Sequence, residues 1–146
     1  MTGPEFRHVD DEPWHEVRAQ LHGDRRVAAR LKFVLTDGAP RVLYSEYDPG
    51  LVLEAHGHGS DHVVFVLGGS VRIGDVDCTP GTVVRLQHGA TFGPLVAGPD
   101  GTRLLELYSG DMTPVPADPE GYEELLRARH IVRVPADIER GAPPAT

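Results

Sequence analysis

The sequence has a single cysteine, Cys78, so no disulfide can form within the chain. Nothing therefore indicates an oxidising compartment, and we expect a cytoplasmic protein. No apolar run approaches the roughly 18 residues that a membrane-spanning helix needs. The N-terminus also lacks the order of basic and then apolar residues that is typical of a secretory signal. We therefore expect a soluble chain with no membrane contact.

Positive charge is also scarce. Lysine and arginine number 14 against 22 acidic residues, which gives a formal net charge of −8. A protein that binds nucleic acid needs a basic surface to displace counterions from phosphates, so we expect no nucleic-acid partner. The length of 146 residues is enough for one domain with one hydrophobic core.

Long helical patterns are almost absent, and the 17 glycines and 13 prolines recur at short intervals. Alternating, β-branched segments predict a hairpin formed by residues 27–35 and 41–47 around the turn at residues 37–40. Further short strands are predicted at residues 51–56, 62–67, 70–73, 75–79, 82–86, 91–97 and 102–108. Many short strands separated by turns indicate an all-β antiparallel sandwich or barrel, and their number suits a jelly roll.

The two ends of the chain differ from this β-rich centre. Residues 1–26 are predicted to cover the barrel or a partner subunit, with a short helix or an irregular cover near Trp14, Val17 and Leu21. The barrel itself is assigned to residues 27–109. Residues 110–146 form a C-terminal extension, in which prolines precede a short helix, an edge strand or dimer contact, and a frayed tail.

Three histidines stand close together in the centre of the chain. His56 and His58 are two residues apart, so in an extended strand their imidazoles lie on the same face. His62 comes at the head of the next strand. Neutral imidazole is a good ligand for iron, zinc, copper and nickel, and three imidazoles on one face leave the opposite face open. The spacing therefore predicts a metal site at the mouth of a β-hairpin.

These residues resemble the first motif of the cupin superfamily, G-x5-H-x-H-x3-4-E-x6-G. Gly50, His56, His58 and Gly69 occupy the motif positions. The chain departs from the motif at His62, where cupins usually have glutamate.

The second cupin motif, G-x5-P-x-G-x2-H-x3-N, is matched only at its glycines. Gly81 and Gly89 align with it, whereas Gln87 replaces the proline, Phe92 the histidine and Val96 the asparagine. Because Phe92 cannot bind a metal, the ligand that cupins usually take from this motif is missing.

The resemblance covers residues 27–108, and it implies a small double-stranded β-helix barrel, often a homodimer, with a divalent metal in its mouth. It implies His56, His58 and His62 as ligands, and His88 is the candidate for an additional one. With histidine in place of the carboxylate, the ligand set would carry no negative charge, which favours anionic or chelating substrates.

Several neighbouring residues are candidates for the substrate pocket. Glu54 shares the strand face of His56. It either points into the barrel, where it would support a metal ligand or act as a general base, or it faces solvent or forms a salt bridge. Phe92 is expected to close one wall of the pocket, beside Gln87. Tyr108 belongs to an alternating strand whose inward face the sequence does not determine.

The resulting hypothesis is a metal-dependent cupin enzyme, specifically a mononuclear non-haem Fe(II) oxygenase of the dioxygenase type that acts on a small organic substrate. Zinc, nickel, manganese and copper are alternatives to iron. Two other functions remain open: a non-redox zinc isomerase, cyclase or lyase, and a sensor or small-molecule binding module without turnover.

Overall fold

The computed structural model describes residues 3–137, which contain twelve strands, one α-helix and a short 3₁₀ turn at Val9–Asp11. The strands are β1 (His15–His22), β2 (Arg25–Leu35), β3 (Arg41–Tyr47), β4 (Val52–Leu53), β5 (His56–His58), β6 (His62–Ile73), β7 (Val76–Cys78), β8 (Val83–Leu86), β9 (Thr91–Phe92), β10 (Leu95–Tyr108), β11 (Pro114–Pro116) and β12 (Ile131–Val134). The helix α1 spans Pro119–Ala128. The prediction of an all-β chain with one short C-terminal helix is confirmed.

The strands form two antiparallel sheets. The larger has the order β12-β1-β2-β3-β10-β6-β7, with β4 also paired to β10 and β8 to β6, and the smaller has the order β11-β5-β9. The predicted hairpin of β2 and β3 is present, with Lys32 opposite Tyr44. The smaller sheet carries two of the three clustered histidines on its central strand, β5.

The core lies on the inner face of β6 and β10. Val64 and Val66 of β6 and Leu104 of β10 are almost completely buried, whereas the alternate residues Phe65 and Leu67 are partly exposed. Each fully buried valine or leucine side chain contributes about 1.5 to 3 kcal/mol relative to an exposed one. The same alternation turns Glu106 and Tyr108 inward. The sequence alone did not determine which face of this strand is buried.

The N-terminal prediction of a short helix or irregular cover is wrong, because residues 15–22 form strand β1. This strand pairs with β2 on one side and β12 on the other. Val17 and Ala19 alternate into the core, while Trp14 precedes the strand and packs on Tyr44. The helical spacing of Trp14, Val17 and Leu21 was therefore coincidental.

Two predicted strand breaks are also wrong. Strands β6 and β10 continue through residues 68–69 and 98–101, where their mutual register shifts. A shift of this kind accommodates extra residues as a bulge, so glycine need not end the strand. At Gly69, which has φ of +64°, a Cβ atom would lie 2.0 Å from the carbonyl oxygen of Gly101.

The C-terminal extension packs as a second, smaller cluster. Asp118 Oδ1 accepts a hydrogen bond from the Gly121 N–H at 3.0 Å and caps α1. Tyr122 and Leu126 of the helix pack with Val52 and Ile131, and the predicted edge strand is β12. Within residues 3–137 no helix is long and apolar enough to cross a membrane. The predicted frayed tail, residues 140–146, lies outside the described residues.

We predict that G69A destabilises the protein more than G23A. Gly23 also has a positive φ, +68°, but its added Cβ would meet nothing within 4 Å. G23A should therefore cost only backbone strain, about 1 to 2 kcal/mol, whereas G69A adds a clash worth about 1 to 3 kcal/mol more. Urea unfolding of the two variants measures the difference, and equal free energies of unfolding would contradict the close approach at Gly69.

Candidate metal centre and pocket

The imidazoles of His56 and His58 are held by backbone carbonyls. The Nδ1 atom of His56 lies 2.8 Å from the backbone carbonyl oxygen of Glu54, and the Nδ1 atom of His58 lies 3.0 Å from the backbone carbonyl oxygen of Met112. A carbonyl can only accept a hydrogen bond, so each Nδ1 carries the proton and each Nε2 keeps its lone pair. Metal-binding histidines are oriented in this way.

The third histidine, His62, is the first residue of β6 and lies opposite Tyr108 of β10. Its ring stacks on the Tyr108 ring, with centroids 4.0 Å apart and planes 10° from parallel. Three buried nitrogens of the cluster have no hydrogen-bond partner among the described residues: both ring nitrogens of His62 and the Nε2 of His58. Buried polar atoms without partners are rare, and an absent ion is one of their ordinary explanations.

The three rings are spaced as ligands of one ion would be. The centroids of His56 and His58 are 5.1 Å apart, and those of His58 and His62 are 4.7 Å apart. Imidazoles with nitrogen about 2.1 Å from an ion, at angles of about 90 to 110°, have centroids about 4.6 to 5.3 Å apart. As the side chains stand, however, no three His, Cys, Asp or Glu residues in 3–137 could hold a metal ion. These two centroid distances fit a shared ion, but the described side chains as they stand do not form a metal site.

A buried carboxylate, Glu106, completes the cluster. Its Oε1 accepts a hydrogen bond from the Tyr108 hydroxyl at 3.1 Å and lies 3.4 Å from His62 Nε2. Its Oε2 accepts a hydrogen bond from the hydroxyl of Ser45. The sequence pointed to Glu106 only through its alternation with Tyr108, without choosing the face, since Glu106 belongs to neither motif.

Burial controls the protonation of this cluster. Desolvation lowers the pKa of His56 and of His58 to about 4, so both rings are neutral at pH 7 and free to bind a cation. Burial alone would raise the pKa of Glu106. The adjacent His62 ring and the Ser45 hydroxyl outweigh it, and they hold that pKa well below its ordinary value.

An open pocket, whose empty volume of about 590 Å³ includes solvent at its mouth, leads to His56, His58 and Glu106, whereas His62 is not among the residues that line it. Its wall is mostly apolar. The lining residues are Val17, Arg18, Ala29, Leu31, Leu43, Tyr47, Leu53, Glu54, His56, His58, Glu106, Tyr108, Met112 and Pro114. Glu54 is buried in this wall and forms a 3.1 Å ion pair with Arg18. The role of Arg18 went unrecognised because β1 was not predicted as a strand.

The remaining candidates divide into two groups. Phe92 lies against the cluster, with its ring centroid 5.1 Å from that of His56 and 6.0 Å from that of His62. Gln87 and His88 are exposed on the turn after β8, where the His88 N–H donates to Asp61 Oδ1 at 2.8 Å. The structure therefore brings Phe92 and Tyr108 to the histidines. Gln87 lines a separate pocket together with His62 and Tyr108, whereas His88 is not among the residues that line either pocket.

No protein-family model and no curated protein matches the chain. Solved structures do match it. The polyketide cyclase RemF from Streptomyces resistomycificus has a TM-score of 0.64 at 19% identity, covering 88% of this chain and 96% of that one. A candidate acetylacetone dioxygenase from Methylibium petroleiphilum has a TM-score of 0.63 at 13% identity, with the same coverage of 88% and 96%.

An RmlC-like cupin from Shewanella frigidimarina also matches, with a TM-score of 0.57 at 17% identity, covering 82% of this chain and 96% of that one. At such identities the likeness shows the fold. The chain has the cupin jelly roll, as its first motif indicated.

We predict that the metal-free protein loses stability as the pH falls from about 6.5 to about 4. In this range the unfolded chain binds protons on His56 and His58, whose pKa values are then near the ordinary 6.5, while the folded chain does not. The free energy of unfolding should therefore decrease on acidification. Urea unfolding at several pH values should show a weaker dependence for H56Q than for the wild type.

The exposed His88 provides the control, and H88Q should keep the wild-type pH dependence. Parallel curves for H56Q and the wild type would contradict the burial effect. The contribution of Glu106 falls at lower pH, since its folded pKa lies below its ordinary 4.5.

Proposed function

We propose that this cupin-fold chain is a metal-dependent enzyme in which His56, His58 and His62 hold a divalent ion at the inner end of the pocket. The observation that carries the proposal is the set of unpartnered nitrogens. Among the described residues, His58 Nε2 and both nitrogens of His62 are buried without a hydrogen bond, next to a ring of His56 whose proton is already committed to a carbonyl. A cation would satisfy the lone pair of His58 Nε2 and that of the unprotonated nitrogen of His62 together.

The pocket favours a small organic substrate with an apolar body and one or two oxygen atoms. Leu31, Leu43 and Leu53 line it and would hold the apolar part while excluding water. The oxygen atoms would face the histidines. We propose an Fe(II) dioxygenase as the specific activity, since bound Fe(II) would supply the redox chemistry that dioxygen needs.

The protein itself would orient the histidine rings and exclude water from the site. The carbonyls of Glu54 and Met112 keep the rings of His56 and His58 in one tautomer. Tyr108 covers one face of the His62 ring, and Phe92 stands edge-on to it. These contacts restrict the rings and keep bulk water from the reacting end of the pocket.

A second candidate is a non-redox zinc enzyme, such as a cyclase or isomerase. The observation that favours it is the Glu54 carboxylate, which lies in the pocket wall and is charge-balanced by Arg18. A carboxylate in that place could take a proton from a substrate carbon or hydroxyl. One of the similar structures is a polyketide cyclase.

We predict that H62A lowers metal content at least about tenfold. Loss of a residue that only hydrogen-bonds to a metal ligand already weakens metal binding by about tenfold or more, and loss of the ligand itself should weaken it at least as much. Elemental analysis of protein purified without added metal, and calorimetric titration with Zn²⁺, measure the change. H88A is the matched control, since His88 is exposed and its side chain makes no contact with the cluster among the described residues, and it should bind as the wild type does. Loss of metal in H88A with full binding in H62A would contradict the proposed ligand set.

We further predict that the iron-loaded protein consumes dioxygen in the presence of a 1,3-diketone such as acetylacetone, and that the zinc-loaded protein does not. An oxygen electrode measures the uptake, and ¹⁸O₂ should label both product oxygens. Turnover that is unchanged under anaerobic conditions would contradict the dioxygenase and favour the zinc enzyme.

A further inference from the structure

Glu106 is a buried carboxylate whose one ion-pair partner among the described residues is the ring of His62. It is only 7% exposed, and its contacts in the described residues are the hydroxyls of Ser45 and Tyr108 and the ring of His62. No lysine or arginine in residues 3–137 forms an ion pair with it. A buried carboxylate is costly unless a cation balances it, and imidazoles that are neutral as ligands bring no charge.

The position of Glu106 relative to His62 is unusual for a hydrogen bond. Oε1 lies 3.4 Å from His62 Nε2, and that nitrogen has no hydrogen-bond partner among the described residues. Two donor atoms that each lie about 2.1 Å from a tetrahedral ion are about 3.4 Å apart. The pair thus has the spacing of two ligands on one ion.

The hydroxyls around Glu106 are compatible with this role. Ser45 binds Oε2 and Tyr108 binds Oε1, so the carboxylate plane is held from both sides. A carboxylate oxygen has two lone pairs, so Oε1 can accept from Tyr108 and still bind an ion. Ligating carboxylates are commonly hydrogen-bonded in this manner.

We propose that Glu106 is a fourth metal ligand, which completes a set of three histidines and one carboxylate; this rests on the proposed metal site at His56, His58 and His62. The carboxylate comes from β10, outside both sequence motifs, while histidine occupies position 62. The ligand set then carries one negative charge. The first motif, which has histidine in place of the usual glutamate, implied a ligand set without negative charge, and Glu106 would restore that charge.

The test compares E106Q with E54Q. Both replace a buried carboxylate of the same pocket by an amide of nearly the same shape, but only Glu106 is a proposed ligand. Titration with Zn²⁺ or Co²⁺ should show E106Q binding at least about tenfold more weakly than the wild type, with E54Q within about twofold. E106H, which restores a ligand atom, should recover part of the loss, whereas a merely structural role would not be rescued.

Full-affinity binding by E106Q would overturn the proposal and leave the three-histidine site intact. A wild type that binds neither ion would overturn both. Should E106Q fail to fold, a crystal structure of the zinc-loaded wild type decides without a variant. Glu106 Oε1 about 2.0 to 2.2 Å from the ion would support the proposal, and a separation beyond about 3 Å would overturn it.

Discussion

The antiparallel pairing of β6 with β10 is the constraint on which the rest of the structure depends. It places Tyr108 opposite His62 and turns Glu106 toward the same interior. Because side chains alternate along a strand, a slip of one residue in this pairing would move all of these groups to the outer face. The bulges near Gly69 and Gly101 lie in the middle of the pair, and the register is regular from Leu104 to Tyr108, where the strand lies beside His62.

Burial of these polar groups sets the chemistry of the pocket. Half of the residues in the wall are leucine, valine, alanine, methionine or proline, so charges inside it are poorly solvated and interact strongly with one another. This explains why His56 and His58 resist protonation while Glu106 resists neutralisation. The result is a set of lone pairs and one negative charge at the end of an apolar cavity, an environment that attracts a cation.

Local patterns in the sequence predicted those features of the structure that depend on residues close together in the chain. The His56 and His58 pair, the β2–β3 hairpin and helix α1 each follow from spacing or capping within a short segment. Glu106 and Arg18 could not be found in that way, because their roles depend on strands that meet only in three dimensions. Arg18 was hidden by a chance helical spacing, and Glu106 by an alternation that has two equivalent faces. The expected breaks at residues 68–69 and 98–101 failed for a related reason, since bulges let both strands continue.

Strand β5 pairs with two strands that both come later in the sequence. β9 pairs with it through Phe92, and β11 pairs with it through Pro114 and Pro116. During synthesis, therefore, His56 and His58 leave the ribosome well before the segment that completes their sheet, and His58 lacks the Met112 carbonyl until then. Contacts so distant in sequence form late. The ring of His58 consequently reaches its final orientation only after most of the barrel has been translated.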